Sequence, residues 1–154
     1  PLVSITQYNK VQNLIEKGIE EGAQLVSGGK GKPDGFEKGY YVKPTIFGNV
    51  SNNMIIAKEE IFGPVLSIIP YDDIKHAVSI ANDTVYGLAA YVTGEDQKKC
   101  LEVARELRAG QISLNYGSSG PSAPFGGYKQ SGNGREKAEW GLDEFLEIKA
   151  IMGS

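Results

Sequence analysis

The chain has one cysteine and one histidine among its 154 residues. A single cysteine excludes an internal disulfide and favours a reducing, cytoplasmic setting. His76 stands alone, with no Cys/His cluster around it, so no metal centre is expected. No apolar run approaches the roughly 18 residues of a membrane-spanning helix. Pro1-Leu2-Val3-Ser4 has neither the basic nor the apolar region of a secretory signal. A net charge of −3 leaves no broad basic field for nucleic acid.

Glycine is what the chain has in excess, with 20 residues. They gather around positions 28–39 and 117–134. Gly28–Gly35, which also holds Pro33 and Asp34, reads as a connecting loop. A length of 154 residues is enough to bury a core.

Hydrophobic spacing predicts the elements. Val11, Leu14, Ile15 and Ile19 form a helical stripe that Gly22 ends. Ala23–Ser27, Tyr40–Val42, Thr45–Phe47 and Val65–Ile69 are strand candidates. Asp72 or Asp73 can cap a helix with Ile74, Val78 and Ala81 on its apolar face. Leu88–Thr93 reads as a strand. Asp96–Leu107 reads as a helix with Leu101, Ala104 and Leu107 on its buried side and Gly110 as its C-terminal cap. Gln111–Asn115 reads as a further strand. The alternation of strand and helix over 65–115 predicts an α/β fold, with right-handed crossovers and a largely parallel sheet flanked by helices. A short helix from about Gly134 past Trp140 and a late strand at Phe145–Ile151 complete the chain. That late strand can close its own sheet or join a partner's.

Three patterns carry chemistry. In Lys58–Val65, the carboxylates Glu59 and Glu60 precede Phe62 and a Gly63-Pro64 turn. A carboxylate can accept from two sugar hydroxyls, and an aromatic face can pack on a heterocycle. On local pattern alone the simpler reading is a surface loop with solvated acids and Phe62 tucked into the core. In Asn115–Tyr128, a long loop follows a strand of the expected sheet, where ligands of such sheets collect. The alternative there is a plain connection anchored by Phe125, and the two readings stand level. Lys129–Glu136 lacks the full G-x-G-x-x-G spacing and reads as a helix entry, capped by Asn133 or Ser131. Cys100 falls mid-helix with no histidine near in sequence, and reads as an inert small apolar residue.

Ala57–Val65 resembles the glutamate/phenylalanine motif of the NAD(P)-dependent aldehyde dehydrogenases. Pro124–Glu136, continued by Glu139-Trp140-Gly141-Leu142, resembles that family's motif near its C-terminus. Lys43-Pro44-Thr45, Asn82–Leu88 and Arg108-Ala109-Gly110 agree in order, so the resemblance covers essentially the whole chain.

The resemblance implies an oxidoreductase that converts an aldehyde to a carboxylic acid with NAD or NADP. It implies that Glu60 binds the nicotinamide ribose hydroxyls and that Phe62 packs beside the ring. It implies that Phe125 lines the aldehyde pocket, and that the loop from Tyr116 to Ala123 walls the substrate tunnel, with Tyr116 among the substrate-binding residues. Residues 1–143 would be part of a catalytic domain. Residues 144–154 would resemble the tail whose strand pairs between subunits of a homo-oligomer. In this family the nucleophilic cysteine, the general-base glutamate and the Rossmann-type domain precede the matched region. The chain is therefore expected to hold no catalytic residue and to be inactive alone. The competing reading is a stand-alone α/β module for binding or assembly.

Overall fold

Ser4 begins the first helix. Its backbone is extended, and its hydroxyl accepts from Gln7 N–H at 3.2 Å. Helix α1 runs Ile5–Glu20 and buries Val11, Leu14, Ile15 and Gly18. Gly22 (φ +92°) closes it: Ala23 N–H reaches Gly18 O and Gly22 N–H reaches Ile19 O, a Schellman ending. Ile19, counted on the apolar stripe, is 43% exposed, and Gly18 takes the inner place. A Cβ at Gly18 would stand 2.9 Å from Ile56 Cδ1, so the missing side chain lets α1 lie close on its neighbour.

The computed structural model describes residues 1–153. They fall into two compact units, Pro1–Asp72 and the described residues from Asp73 onward. In the first, β1 (Gln24–Ser27), β2 (Thr45–Gly48) and β3 (Val65–Ser67) form a sheet in that order. β1 pairs antiparallel with β2, with a shift of register between Leu25 and Ser27, and β2 pairs parallel with β3. The central strand alternates buried Thr45 and Phe47 with half-buried partners. Thr45 is buried yet satisfied, since its hydroxyl accepts from Gly29 N–H at 3.0 Å and donates to Lys43 O at 2.8 Å. Helix α2 (Ile55–Lys58), a four-residue turn not anticipated, is capped by the Glu21 carboxylate, which accepts from Ile55 N–H at 2.7 Å. The expected strand at Tyr40–Val42 does not form. Gly39 at φ +81° turns the chain, and Leu2 N–H donates to Tyr40 O while Val42 drops into the core.

In the second unit, α3 (Ile74–Asn82) is capped by Asp73, which accepts from His76 N–H at 2.8 Å. Of its expected apolar face only Val78 is buried. β4 (Ala89–Val92), α4 (Gln97–Glu106) and β5 (Gln111–Leu114) form a βαβ unit, with β4 and β5 in parallel register from Ala89↔Gln111 to Val92↔Leu114. Helix α4 buries Cys100 and Ala104, one turn apart; Ala104 is buried as expected, whereas Leu101 is exposed and a small rotation puts Cys100 inside in its place. The rotation brings Cys100 Sγ against Gly94, where a Cβ would sit 3.0 Å away. Helix α5 (Ala138–Asp143) starts later than Gly134. Among the described residues, 144–153 carry no strand, and Phe145, Ile148 and Ile151 are exposed.

The α/β expectation with parallel pairing holds, but the strands form two sheets rather than one. No helix among the described residues is long and apolar enough to cross a membrane. Phe47, at 0% exposure, is the largest fully buried side chain of the first core. Phe47→Ala is expected to cost about 3–5 kcal/mol in denaturant unfolding, against less than about 0.5 kcal/mol for Ile19→Ala.

Candidate functional site

The connection from α2 to β3 places the first pair of candidates. Ile61 points inward, 9% exposed, as a member of the core cluster. Gly63 rests on α1, where a Cβ would come within 2.8 Å of Val11 Cγ2. Between them Phe62 takes φ +54°, the left-handed region, and its ring is 68% exposed. The reading that tucked Phe62 into the core is thus overturned: neighbours on both sides point inward and turn it out. A bulky residue at positive φ is strained by about 1–3 kcal/mol. The Gln7 side-chain amide donates to Ile61 O at 2.9 Å and Phe62 O at 3.1 Å. At about 0.5–1.5 kcal/mol net per bond, the pair offsets strain of that size. Lys10 Nζ donates to Glu60 O at 3.0 Å. Glu59 and Glu60 are themselves exposed, so the Glu60 carboxylate is free to accept from a ligand while its backbone is tethered.

An exposed carboxylate, two residues from an outward aromatic ring on a fixed backbone, suits a sugar diol beside a flat heterocycle. Gln7 and Lys10 were not singled out from the sequence. Their partners lie 50 or more residues away, and no local pattern links them.

The second unit holds the other pair. Beyond β5 the chain turns at once: Asn115 (φ +47°) and Tyr116 (φ +64°) form a type I′ turn closed by Gly117 N–H to Leu114 O at 2.8 Å. Asn115 Oδ1 accepts from Gly94 N–H at 2.9 Å and ties the turn to the end of β4. Tyr116 stands 89% exposed at its tip. Gly117–Ser119 and Ala123-Pro124 then fold back along β5 around a cleft of about 400 Å³.

Phe125 is half-buried and pairs with Glu136 through reciprocal backbone bonds of 3.0 and 2.6 Å. The Lys137 ammonium lies 5.3 Å from its ring centre. Phe125 borders a second cleft, of about 820 Å³, with Arg135, Leu142 and Phe145. Tyr116 lines neither of these two clefts.

The stretch after Phe125 is knitted by backbone contacts. A Cβ at Gly110 would lie 1.7 Å from Gly126 O. That explains Gly110 better than the expected helix cap, since α4 ends at Leu107 with extended backbone. Lys129–Ser131 forms one turn of 3-10 helix, and the Ser131 hydroxyl accepts from Gly87 N–H at 3.0 Å. Ser131 and Asn133 thus do not cap α5. Lys129 Nζ donates to Asn82 O at 2.8 Å and Thr84 O at 3.0 Å. Arg135 Nη1 donates to Gly127 O at 3.0 Å and Gly134 O at 2.8 Å. Its guanidinium lies 5.3 Å from the Tyr128 ring centre, and that of Arg108 lies 5.9 Å away.

Cys100 is free and 5% exposed, which agrees with its reading as a small apolar side chain. Among the described residues no group of three His, Cys, Asp or Glu side chains is placed to hold a metal ion.

The model of the aldehyde dehydrogenase family matches residues 1–151. The chain belongs to the aldehyde dehydrogenase family. A Staphylococcus aureus (strain USA300) protein provisionally assigned as an aldehyde dehydrogenase is 57% identical over 153 residues, covering 99% of this chain and 32% of that protein. The crystal structure of a mutant aldehyde dehydrogenase C from Pseudomonas syringae, complexed with NAD+ and octanal, is similar at a TM-score of 0.92 and 56% identity. It covers 98% of this chain and 31% of the other. The Mycobacterium tuberculosis aldehyde dehydrogenase complexed with NAD+ gives a TM-score of 0.89 at 50% identity, with 94% and 30% covered. The chain thus spans about a third of the length of these relatives.

Gly126 tests the knitted loop, because a Cβ there would meet Gly134 O at 2.2 Å. Gly126→Ala is expected to lower the thermal midpoint by several degrees, about 2 kcal/mol or more. Calorimetric scans of both forms check it.

Proposed function

We propose that this chain is the C-terminal part of the catalytic domain of an NAD(P)-dependent aldehyde dehydrogenase that oxidises an aldehyde to a carboxylic acid. The observation that supports this most is the outward Glu60–Phe62 pair on its tethered loop. The similarity over nearly the whole chain to a structure complexed with NAD+ and octanal points the same way.

In this reading the Glu60 carboxylate accepts from the two hydroxyls of the nicotinamide ribose, and the exposed Phe62 ring packs beside the nicotinamide. NAD or NADP, when bound, is the hydride acceptor. Phe125, held by its bridge to Glu136, presents an apolar edge to the aldehyde, and Tyr116 with the following loop borders the approach. No residue of this chain is assigned as nucleophile or general base, and Cys100, buried in α4, is not the attacking thiol. Residues 1–143 form part of the catalytic domain. Residues 144–154 form the oligomerisation tail, and its exposed apolar stretch Phe145–Ile151 pairs with another subunit of a homo-oligomer in a cytoplasmic enzyme.

The test is made in the complete enzyme that carries this chain. Glu60→Gln removes a charge-assisted contact of about 1.5–3 kcal/mol and should raise KM for NAD+ by roughly tenfold or more. Phe125→Ala should raise KM for the aldehyde and leave cofactor affinity near its starting value. Unchanged constants in both variants would overturn the assignment. The 154-residue chain by itself is expected to turn over no aldehyde with NAD or NADP, and turnover abolished by Cys100→Ser would sink that view.

A further inference from the structure

We propose that Asn133 is a site of spontaneous modification: its side chain closes onto the backbone nitrogen of Gly134, loses ammonia, and leaves aspartate or isoaspartate that loosens the loop around it.

Asparagine is among the thermolabile residues, and of this chain's asparagines only Asn133 precedes a glycine. The reaction is a ring closure. The Gly134 N–H gives up its proton and the nitrogen attacks Asn133 Cγ. The Cγ–Nδ2 bond breaks, and the amide nitrogen leaves with that proton as ammonia. Water then opens the five-membered imide at either carbonyl, so one water is taken up for each ammonia released. The surroundings favour the closure. Gly134 has no Cβ to block the approach and leaves the backbone free to bend. Asn133 and Gly134 are exposed, outside helix and strand, and follow Gly132 at φ +130°. Among the described residues none forms a hydrogen bond to the Asn133 side chain or to the Gly134 N–H, so neither reacting group is held away from the other. Arg135 Nη1 donates to Asn133 O at 3.4 Å. That oxygen belongs to the same peptide group as the attacking nitrogen, and a cation beside it favours the deprotonated amide.

The product acts on a backbone with little slack. Gly134 O accepts from Arg135 Nη1 at 2.8 Å and lies 2.2 Å from where a Cβ at Gly126 would stand. Two residues on, Glu136 exchanges bonds of 3.0 and 2.6 Å with Phe125. Isoaspartate routes the main chain through the former side chain and adds one methylene just before Gly134. The contacts at Gly126 and Phe125 then no longer fall in register. Aspartate adds only the charge.

The complete enzyme that carries this chain is aged at mildly alkaline pH and physiological temperature. Peptide mass spectrometry follows the change of amide to acid, and isoaspartyl methyltransferase labelling identifies isoaspartate. Asn133 should convert roughly tenfold or more faster than the chain's other asparagines, and Gly134→Ala should slow it by a similar factor. Asn133→Gln, whose longer side chain closes a ring far more slowly, should show no conversion over the same period. As isoaspartate accumulates, the thermal midpoint should fall by several degrees, and freshly purified Asn133→Asp should fall by less. If Gly134→Ala fails to fold, Asn133→Gln and the comparison among asparagines within the unaltered enzyme carry the test. No conversion at Asn133, or a rate no greater than that of the other asparagines, overturns the site. An unchanged midpoint in fully converted enzyme overturns the loosening of the loop.

Discussion

One side-chain amide holds the first unit's candidate site in shape. Gln7 reaches two adjacent carbonyl oxygens of a loop that its own helix also meets through Lys10 and Val11. The bonds are ordinary in length, but they oppose the strain at Phe62. Their position depends on Ser4, because the cap decides where α1 begins and therefore which way Gln7 faces. Core packing supplies the rest. Ile61 enters the cluster around Val11, Ile15 and Phe47, and this fixes the loop's inner edge while its outer edge stays open.

The second unit solves a similar problem with backbone contacts. Its long glycine-rich stretch is kept against Asn82–Leu88 and Arg108–Gly110 by close approach of main chains and by Lys129, while Arg135 ties the stretch to itself. Each cation satisfies carbonyl oxygens that a loop would otherwise leave to solvent. The loop therefore has a definite course with only one turn of 3-10 helix in it. Phe125 is presented from that frame, paired with Glu136.

Much of this was legible in the sequence where the cause was local. The stripe on α1 (apart from Ile19), the Asp73 cap and the β-branched run at Val65 lie within a few residues of what they determine, and they appear as expected except that β3 ends at Ser67. The misses have distant causes. Tyr40–Val42 reads as a strand by composition, but no neighbour offers it a ladder. The inner face of α4 is set by Gly94, which lets Cys100 turn inward in place of Leu101. Phe62 looked like a core residue because aromatic rings usually are, and only the inward pull on both its neighbours turns it out. The motif residues themselves were visible, whereas the partners of Gln7, Lys10, Ser131 and Lys129 were not, since those bonds span 44 or more residues.

The irregular pairing of β1 has a consequence for how this chain meets other chains. β1 lies at the edge of its sheet, and Leu25 and Val26 on it are exposed. A straight apolar edge of that kind is a template on which foreign strands can grow. The change of register between Leu25 and Ser27 breaks the spacing of its free backbone groups. An incoming strand would find two mismatched short runs instead of one continuous ladder, so the same kink that bends β1 onto β2 also guards the sheet against aggregation.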